Sequence, residues 1–426
     1  MYDDEVLELP LTHIFRNLAK NESLKITEFS NYSDSLDDPI TSEGKKHAKM
    51  PLYVHIPFCK SLCPFCSFNR YLFNENGIRS YYKQLWKELE KYLDSGYKFS
   101  SINIGGGTPT VMMDELLLFI EKAKSESGVK RIEVESTPNE ISDESVDALR
   151  NAGVKRLSVG IQTFDDKLLR DIGRSGYKGT EALDKLNIAI GKFDTLGIDL
   201  IFNFPTQSTD SLMKDLDIFK SSGIDQVTFY PLMPGPHKNT ALERRFNRRS
   251  VHAEYTKETN FYNMLVNDLL AEGYHASSVW CFSKKNSDIG EYVFDNTEYV
   301  GIGSGAISLF SNMVYVDSFS LGRYAEFISN NSLPIIRYKR LEPREYYRYK
   351  LLFSLFGIEF DKPAEGSLER RIIGKEISIL QFLGIVKEHN GRFRVTQKGM
   401  HYVSVMMEEF LYSLNRFREK CIENQI

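Results

Sequence analysis

The stretch Cys59-Lys-Ser-Leu-Cys63-Pro-Phe-Cys66 follows directly on an apolar, β-branched run, Leu52–Ile56, that has the character of a short strand. Three thiols fall within eight residues here, while Cys281 and Cys421 stand alone, so the five cysteines are no disulfide framework of a small secreted protein. Thiolates spaced C-x3-C-x2-C on one loop can hold three irons of a 4Fe-4S cluster and leave the fourth iron open to a small molecule. A zinc site would want a fourth protein ligand nearby. His55 is close enough in sequence, but it sits inside the strand pattern, where a packing histidine is the commoner outcome. Pro64 and Phe65 beside the thiols fit a shielded cluster better than a zinc site.

Outward from this loop, short β-branched or apolar runs alternate with longer helical patterns, each pair taking the length of a βα unit. Strands are predicted at Leu52–Ile56, Ser101–Ile104, Arg131–Glu135, Arg156–Ile161, Asp199–Phe202 and Gln226–Tyr230. Helices are predicted near Ser80–Leu93, Asp114–Lys124, Ser142–Ala152, Thr180–Phe193 and Ser211–Lys220, several with Ser, Thr or Asp in N-cap positions. Six such repeats imply a parallel α/β sheet, open or curled into an incomplete barrel, with ligands gathered at the carboxyl ends of the strands.

The rhythm breaks after about residue 250. A helix over Thr256–Glu272 is followed by irregular sequence and the glycine-rich Gly301-Ile302-Gly303-Ser304-Gly305-Ala306. From about Leu341 a helical region leads to a hairpin around His389-Asn390-Gly391 and a last helix, Lys398–Arg418, a pattern that resembles a winged-helix module. The predicted organisation is an N-terminal extension (1–48, polar, weakly patterned and partly flexible), a partial (β/α)6 barrel (49–250), a sheet extension with a substrate or second-ligand region (251–340), and a C-terminal helical, winged-helix-like domain (341–426).

Composition narrows the function classes. A formal charge of −4 from 54 Lys and Arg against 58 Asp and Glu provides no electrostatic footprint for nucleic acid. The N-terminus, Met-Tyr-Asp-Asp-Glu, has acid where a signal peptide has base, and no apolar run approaches the ~18 residues of a membrane span. A cytoplasmic protein is expected.

Tyr53-Val-His-Ile-Pro-Phe-Cys59, the cysteine motif and Gly105-Gly106-Gly107-Thr108-Pro109-Thr110 together resemble the radical S-adenosylmethionine enzymes, in particular the branch around oxygen-independent coproporphyrinogen III oxidase. The resemblance covers about residues 50 to 320. It implies a radical-SAM partial barrel, a 4Fe-4S cluster on Cys59, Cys63 and Cys66, and S-adenosylmethionine chelated at the open iron and reductively cleaved to a 5′-deoxyadenosyl radical. It implies Tyr53, Phe65, Gly105, Gly106, Gly107, Thr108, Glu135, Gln162, Arg174 and Asp199 as the cofactor-binding residues. Gly105–Gly107 would let the backbone approach the amino group, Gln162 would contact ribose, and Arg174 would take the carboxylate. Taken alone, a triple glycine is a tight turn, Gln162 a polar strand end and Arg174 a solvated helix-end cation, as Lys167 and Arg170 are expected to be. Glu133 is expected to be structural.

Departures from the branch shape the rest. Coproporphyrinogen oxidases carry a further cysteine where this chain has Phe68, and their N-terminal Tyr-Thr-Ser-Tyr-Pro segment is missing before Leu52. Haem chaperones carry His-Asn-x-x-Tyr-Trp where this chain has Asp295-Asn296-Thr297-Glu298-Tyr299-Val300. Asn203-Phe204-Pro205 replaces the usual Gly-Leu-Pro. The leading expectation is C-methylation or related carbon transfer on a planar, tetrapyrrole-like substrate, with coproporphyrinogen oxidase-type decarboxylation and a haem-binding chaperone as alternatives. Gly305, Ala306 and Ile307 are expected beside a second S-adenosylmethionine. Tyr230, Pro231, Met233, His237 and Trp280 are expected to line the substrate space, although aromatic residues at 12% of the chain populate any core. An electron donor such as flavodoxin or ferredoxin is implied.

Overall fold

The computed structural model describes residues 3–32, 49–233, 255–284 and 298–424. Six parallel strands, β1 (Lys49–Ile56), β2 (Lys98–Gly106), β3 (Arg131–Ser136), β4 (Arg156–Gln162), β5 (Thr195–Phe202) and β6 (Gln226–Pro231), lie side by side in chain order. They are joined by helices such as Glu75–Asp94, Met113–Ser127 and Thr209–Ser222. The sheet has nine strands among the described residues. Antiparallel Cys281–Ser283 and His275–Ala276 extend it beyond β6, and Val300–Ile302 pairs parallel with β1 at the other edge. The edges do not meet, so this is an incomplete α/β barrel, one of the two forms expected from the repeats.

Alternation along the strands separates two faces. Leu52, Val54, Ile102, Ile104, Ile132, Val134, Leu157 and Val159 are all buried, in the core shared with the helices. On the other face, polar residues fall opposite one another: Tyr53 opposite Asn103, Asn103 opposite Glu133, Glu135 opposite Ser158, and Gly160 opposite Asp199. That polar face is the concave floor of the site. β3, β4 and β6 begin where predicted, whereas β1, β2 and β5 reach further back, because their first residues, Lys49, Lys98 and Thr195, are polar yet still pair in the sheet. The helix predicted over Thr180–Phe193 stops at Ala189, just before Gly191 at φ +71°.

The C-terminal region is helical, with Pro343–Phe356, Leu368–Phe382 and Gln397–Glu423 flanking a three-stranded sheet of Glu359–Phe360, Val386–His389 and Arg392–Val395. Part of the weakly patterned N-terminal extension proves to be regular structure. Asp3–Ile26 is a 24-residue helix packed along Gln397–Glu423, with the Phe15 and Tyr402 ring centroids 5.3 Å apart. Its buried face mixes Phe15, Ala19 and Ile26 with Thr12, Arg16 and Ser23, so it carries little hydrophobic pattern. Arg16 makes that face viable by pairing with Glu409 at 2.9 Å, Glu408 at 3.3 Å and Glu258 at 3.4 Å. His237 lies outside the described residues. No helix among the described residues is long and apolar enough to cross a membrane.

Removing Arg16 would leave three carboxylates without their shared cation. Arg16→Ala is therefore expected to lower unfolding stability by about 3 to 5 kcal/mol. Urea melts of the two proteins test this, and a loss below about 1 kcal/mol would show that the cluster rearranges freely.

Candidate functional site

The carboxyl ends of β1 to β4 converge on the cysteine loop. Gly107 N–H donates to the Ile56 carbonyl at 2.8 Å and Thr108 N–H to the Phe58 carbonyl at 2.8 Å, which ties the end of β2 to the residues leading into Cys59. The Thr108 hydroxyl reaches the Cys59 sulfur at 3.6 Å. Here the glycines serve the protein's own packing. A Cβ on Gly106, at φ +112°, would lie 2.6 Å from the His55 ring, and one on Gly107 would lie 2.7 Å from the Phe58 backbone. Next to them, Glu135 accepts the Gly106 N–H at 3.1 Å.

A cavity of about 560 Å³ collects most of the residues singled out in the sequence. Its lining includes the three thiols with Phe65, Gly106, Gly107, Thr108, Glu135, Gln162, Arg174 and Asp199. Arg174 donates to the Gly160 carbonyl, to the Tyr177 hydroxyl at 3.2 Å and to the Cys63 thiol. Burial works against its charge, but Tyr177 and Cys63 more than offset this, and its pKa is raised. Lys167 and Arg170 are exposed, as expected. Gln162 closes β4 at φ +74°, a conformation uncommon for a residue with a side chain and one that clusters at functional sites.

A second cavity, about 280 Å³, adjoins the first between the polar face of the sheet and the last helix. Ser67, Phe68, Glu135, Asp199, Tyr230 and Leu411 belong to both walls. Tyr53, Gly305 and Ile307 line the smaller cavity, whereas Gly105 and Ala306 line neither. The Gly301–Ala306 segment is fixed by the protein itself. Gly303 N–H donates to Glu88 at 2.9 Å, Ser304 N–H to the Tyr81 hydroxyl at 2.8 Å, and a Cβ on Gly303 would come within 2.6 Å of the His55 carbonyl. Of the expected substrate lining, Pro231 falls in the larger cavity, Trp280 in the smaller, and Tyr230 and Met233 in both. The Trp280 indole N–H is spent on Ser404 at 2.8 Å.

Several contributors had only weak signals in the sequence. Asn103 and Ser158 are polar residues inside apolar strands, which marks an inward face. The Ser158 hydroxyl donates to Asp199 at 3.1 Å, while burial raises the Asp199 pKa against the pull of Arg156. Glu133 pairs with Arg131 at 2.9 Å and Arg156 at 3.7 Å, a structural role as expected. Asn203, where the resemblance implied glycine, makes the turn at φ +69°, since asparagine tolerates the left-handed region better than other side chains. The row Met407, Phe410, Leu411, Leu414, Asn415 and Arg418 on the last helix was not foreseen, because nothing in its sequence says which face meets the barrel.

The donor set suits a cubane iron–sulfur cluster better than a four-ligand zinc ion. His55, the candidate fourth ligand, has Nε2 on the Asn69 carbonyl at 2.9 Å, so that nitrogen carries the proton, and Nδ1 accepts from the Tyr53 hydroxyl at 2.9 Å. Both ring nitrogens are engaged, and burial lowers the His55 pKa to about 4. The Cys59 and Cys66 thiols are pushed up by burial, so metal binding there would release protons. Among the described residues no three His, Cys, Asp or Glu side chains already form an ion cage; the thiols share one cavity wall.

The profile of the Radical SAM superfamily matches residues 53–243. This part of the chain is similar to that superfamily. The heme chaperone HemW of Lactococcus lactis is 26% identical over 374 residues, covering 84% of this chain and 96% of that one. The oxygen-independent coproporphyrinogen III oxidase of Paracoccus denitrificans is 31% identical over 194 residues, 43% of this chain and 42% of that one. The solved structure of coproporphyrinogen III oxidase (HemN) from Escherichia coli has a TM-score of 0.74 at 23% identity, covering 90% of this chain and 95% of that one. The chain is thus similar to the radical SAM superfamily over its barrel and to HemW and HemN over most of its length, and its fold is that of HemN. The carbon-transfer expectation finds no support in these relatives.

Two predictions follow from the site's chemistry. Cys63→Ala is expected to abolish iron and sulfide incorporation on anaerobic reconstitution, whereas Cys281→Ala and Cys421→Ala, both buried away from the cavity, keep full content; full loading of Cys63→Ala would refute the ligand set. The second concerns Glu88, which also accepts from Tyr324 at 2.5 Å and is bonded to Asp317. Burial raises both carboxyls, Glu88 to about 7. The folded state therefore holds a proton that the unfolded chain has released above its ordinary pKa of about 4.3, and stability falls as pH rises from there through about 7. Glu88→Gln is expected to flatten that fall, read as melting temperature between pH 5 and 8; an unchanged slope would rule the pair out as its source.

Proposed function

We propose that this is a radical SAM protein that binds a haem-like tetrapyrrole beside S-adenosylmethionine, as a HemW-like chaperone or as an enzyme acting on that macrocycle. The observation that carries the reading is the pair of adjoining cavities, one walled by three thiols and Arg174, the other by aromatic and aliphatic side chains of the barrel and the last helix. Likeness to HemW over nearly its whole length supports the choice of macrocycle. In this reading Cys59, Cys63 and Cys66 hold the cluster. When bound, the cluster supplies the electron, taken from a donor such as flavodoxin or ferredoxin, that cleaves S-adenosylmethionine reductively.

The protein's own groups then divide the remaining work. Arg174 takes the S-adenosylmethionine carboxylate with its planar fork, Glu135 accepts from the amino group beside Gly106, and Gln162 meets the ribose. Phe65, Gly107, Thr108 and Asp199 complete that side, and Tyr53 lines the smaller cavity next to it. Gly305 and Ile307, which line the smaller cavity, would border a second molecule there. The apolar wall excludes water from the junction, which protects any radical step from quenching. The haem-chaperone alternative gains weight from the HemW likeness even though the His and Trp of the chaperone motif are absent. Asp295–Thr297 lie outside the described residues, and Tyr299 lines the smaller cavity.

Anaerobic incubation of the reconstituted protein with dithionite, S-adenosylmethionine and haem tests both parts. Saturable haem absorbance changes are expected at micromolar protein. 5′-Deoxyadenosine that rises with haem marks an enzyme, and haem binding with no such rise marks a chaperone. Failure to bind haem or free-base porphyrin would overturn the macrocycle reading. Methyl-labelled S-adenosylmethionine reads carbon transfer in the same mixture.

A further inference from the structure

The wall that the last helix gives to the smaller cavity ends in a cation. Met407, Phe410, Leu411, Leu414, Asn415 and Arg418 recur at the three- and four-residue spacing of one helix face, and all six line that cavity. The first four are apolar. The polar pair comes at the end of the row, where Arg418 donates to the Asn415 side-chain oxygen at 3.0 Å.

Arg418 is aimed at the site rather than at solvent. Its guanidinium carbon lies 5.3 Å from the centroid of the Phe68 ring, on the loop that follows Cys66, and its charge bears on Tyr53, His55 and Tyr299, which line the same cavity. Phe68 is 47% exposed, so the ring also has open surface beside the guanidinium. The other arginine of this lining, Arg156, lies on the floor, where Glu133 and Gln226 engage it, Gln226 at 2.8 Å. Arg418 therefore places positive charge at the opposite wall, next to an aromatic face and at the end of an apolar row.

We propose that Arg418, set by Asn415 and Phe68, is a specificity-determining residue that binds a carboxylate substituent of a flat, largely apolar ligand in the smaller cavity. A guanidinium fork matches a carboxylate bidentately, and the Phe68 ring suits the edge of a flat ring system. On the floor, Arg156 is already engaged by Glu133 and Gln226 beside the carboxyl groups of Glu135 and Asp199, so the ligand enters with its acid group toward the last helix. The inference rests on the tetrapyrrole reading, and it adds which part of the macrocycle is recognised and by what.

The experiment compares iron protoporphyrin, which has free carboxylates, with its dimethyl ester. Both are titrated by absorbance into the full-length, cluster-loaded wild type, Arg418→Gln, Arg418→Lys and the exposed control Arg416→Gln. The wild type is expected to bind the free acid about tenfold more tightly than the ester, the size of one charge-assisted contact. Arg418→Gln should lose that preference by weakening the acid alone, Arg418→Lys should keep part of it, and Arg416→Gln should keep all of it. Equal binding of acid and ester by the wild type overturns the subsite without recourse to any variant. So does an Arg418→Gln protein in which both ligands weaken together, the mark of a packing role. If the wild type binds neither compound, the tetrapyrrole reading itself falls and the subsite with it, an outcome distinct from binding without discrimination.

Discussion

The site depends on a short run of main-chain hydrogen bonds between neighbouring strand ends. The two N–H groups of Gly107 and Thr108, bonded to Ile56 and Phe58, set where the chain leaves β1 and therefore where Cys59 begins the thiol loop. Each such bond contributes about 1 kcal/mol net, but losing one inside a buried strand end leaves an unsatisfied group at higher cost. Side chains at Gly106 or Gly107 would collide with His55 or with the loop backbone, so the glycines are fixed by contacts within the protein before any ligand arrives. The proximity of Glu135 to the same strand end follows from the parallel register of β2 and β3.

From that junction the two faces of the sheet take different tasks. The helix-facing side is continuous aliphatic core, which supplies most of the driving force for folding. The other side carries Asn103, Glu135, Ser158 and Asp199, residues that are costly to bury unless they are bonded. Such a floor needs a cover, and the last helix provides it. That helix is held in turn by the N-terminal helix through Phe15 and Arg16, so residues far from the cysteines in sequence bear on the cavity beside them.

Much of the barrel was legible because parallel strands buried on both faces leave compact β-branched runs, and because Ser142 and Ser208 cap the helices that follow. The thiols were legible through their spacing, whereas Arg174 and Gln162 were singled out only by the family resemblance. The N-terminal helix was not, since its buried face includes Thr12, Arg16 and Ser23 and becomes favourable only against Glu409 and Glu258. The glycine-rich segment at 301–306 was legible as a turn, but not as one pinned by Glu88, Tyr81 and His55 from distant elements.

By itself, then, the sequence determined the βα rhythm and the three-thiol loop, because each rests on local spacing of a few residues. Tertiary structure satisfied both nitrogens of His55, the packing group its strand position suggested, and alone decided that the glycines serve internal contacts and that the last helix walls a second cavity ending in Arg418. Those outcomes turn on which surfaces meet. Strands of one sheet meet in an order that a βα repeat dictates, whereas a helix some 340 residues downstream of Cys59 meets the barrel through contacts that no local pattern encodes.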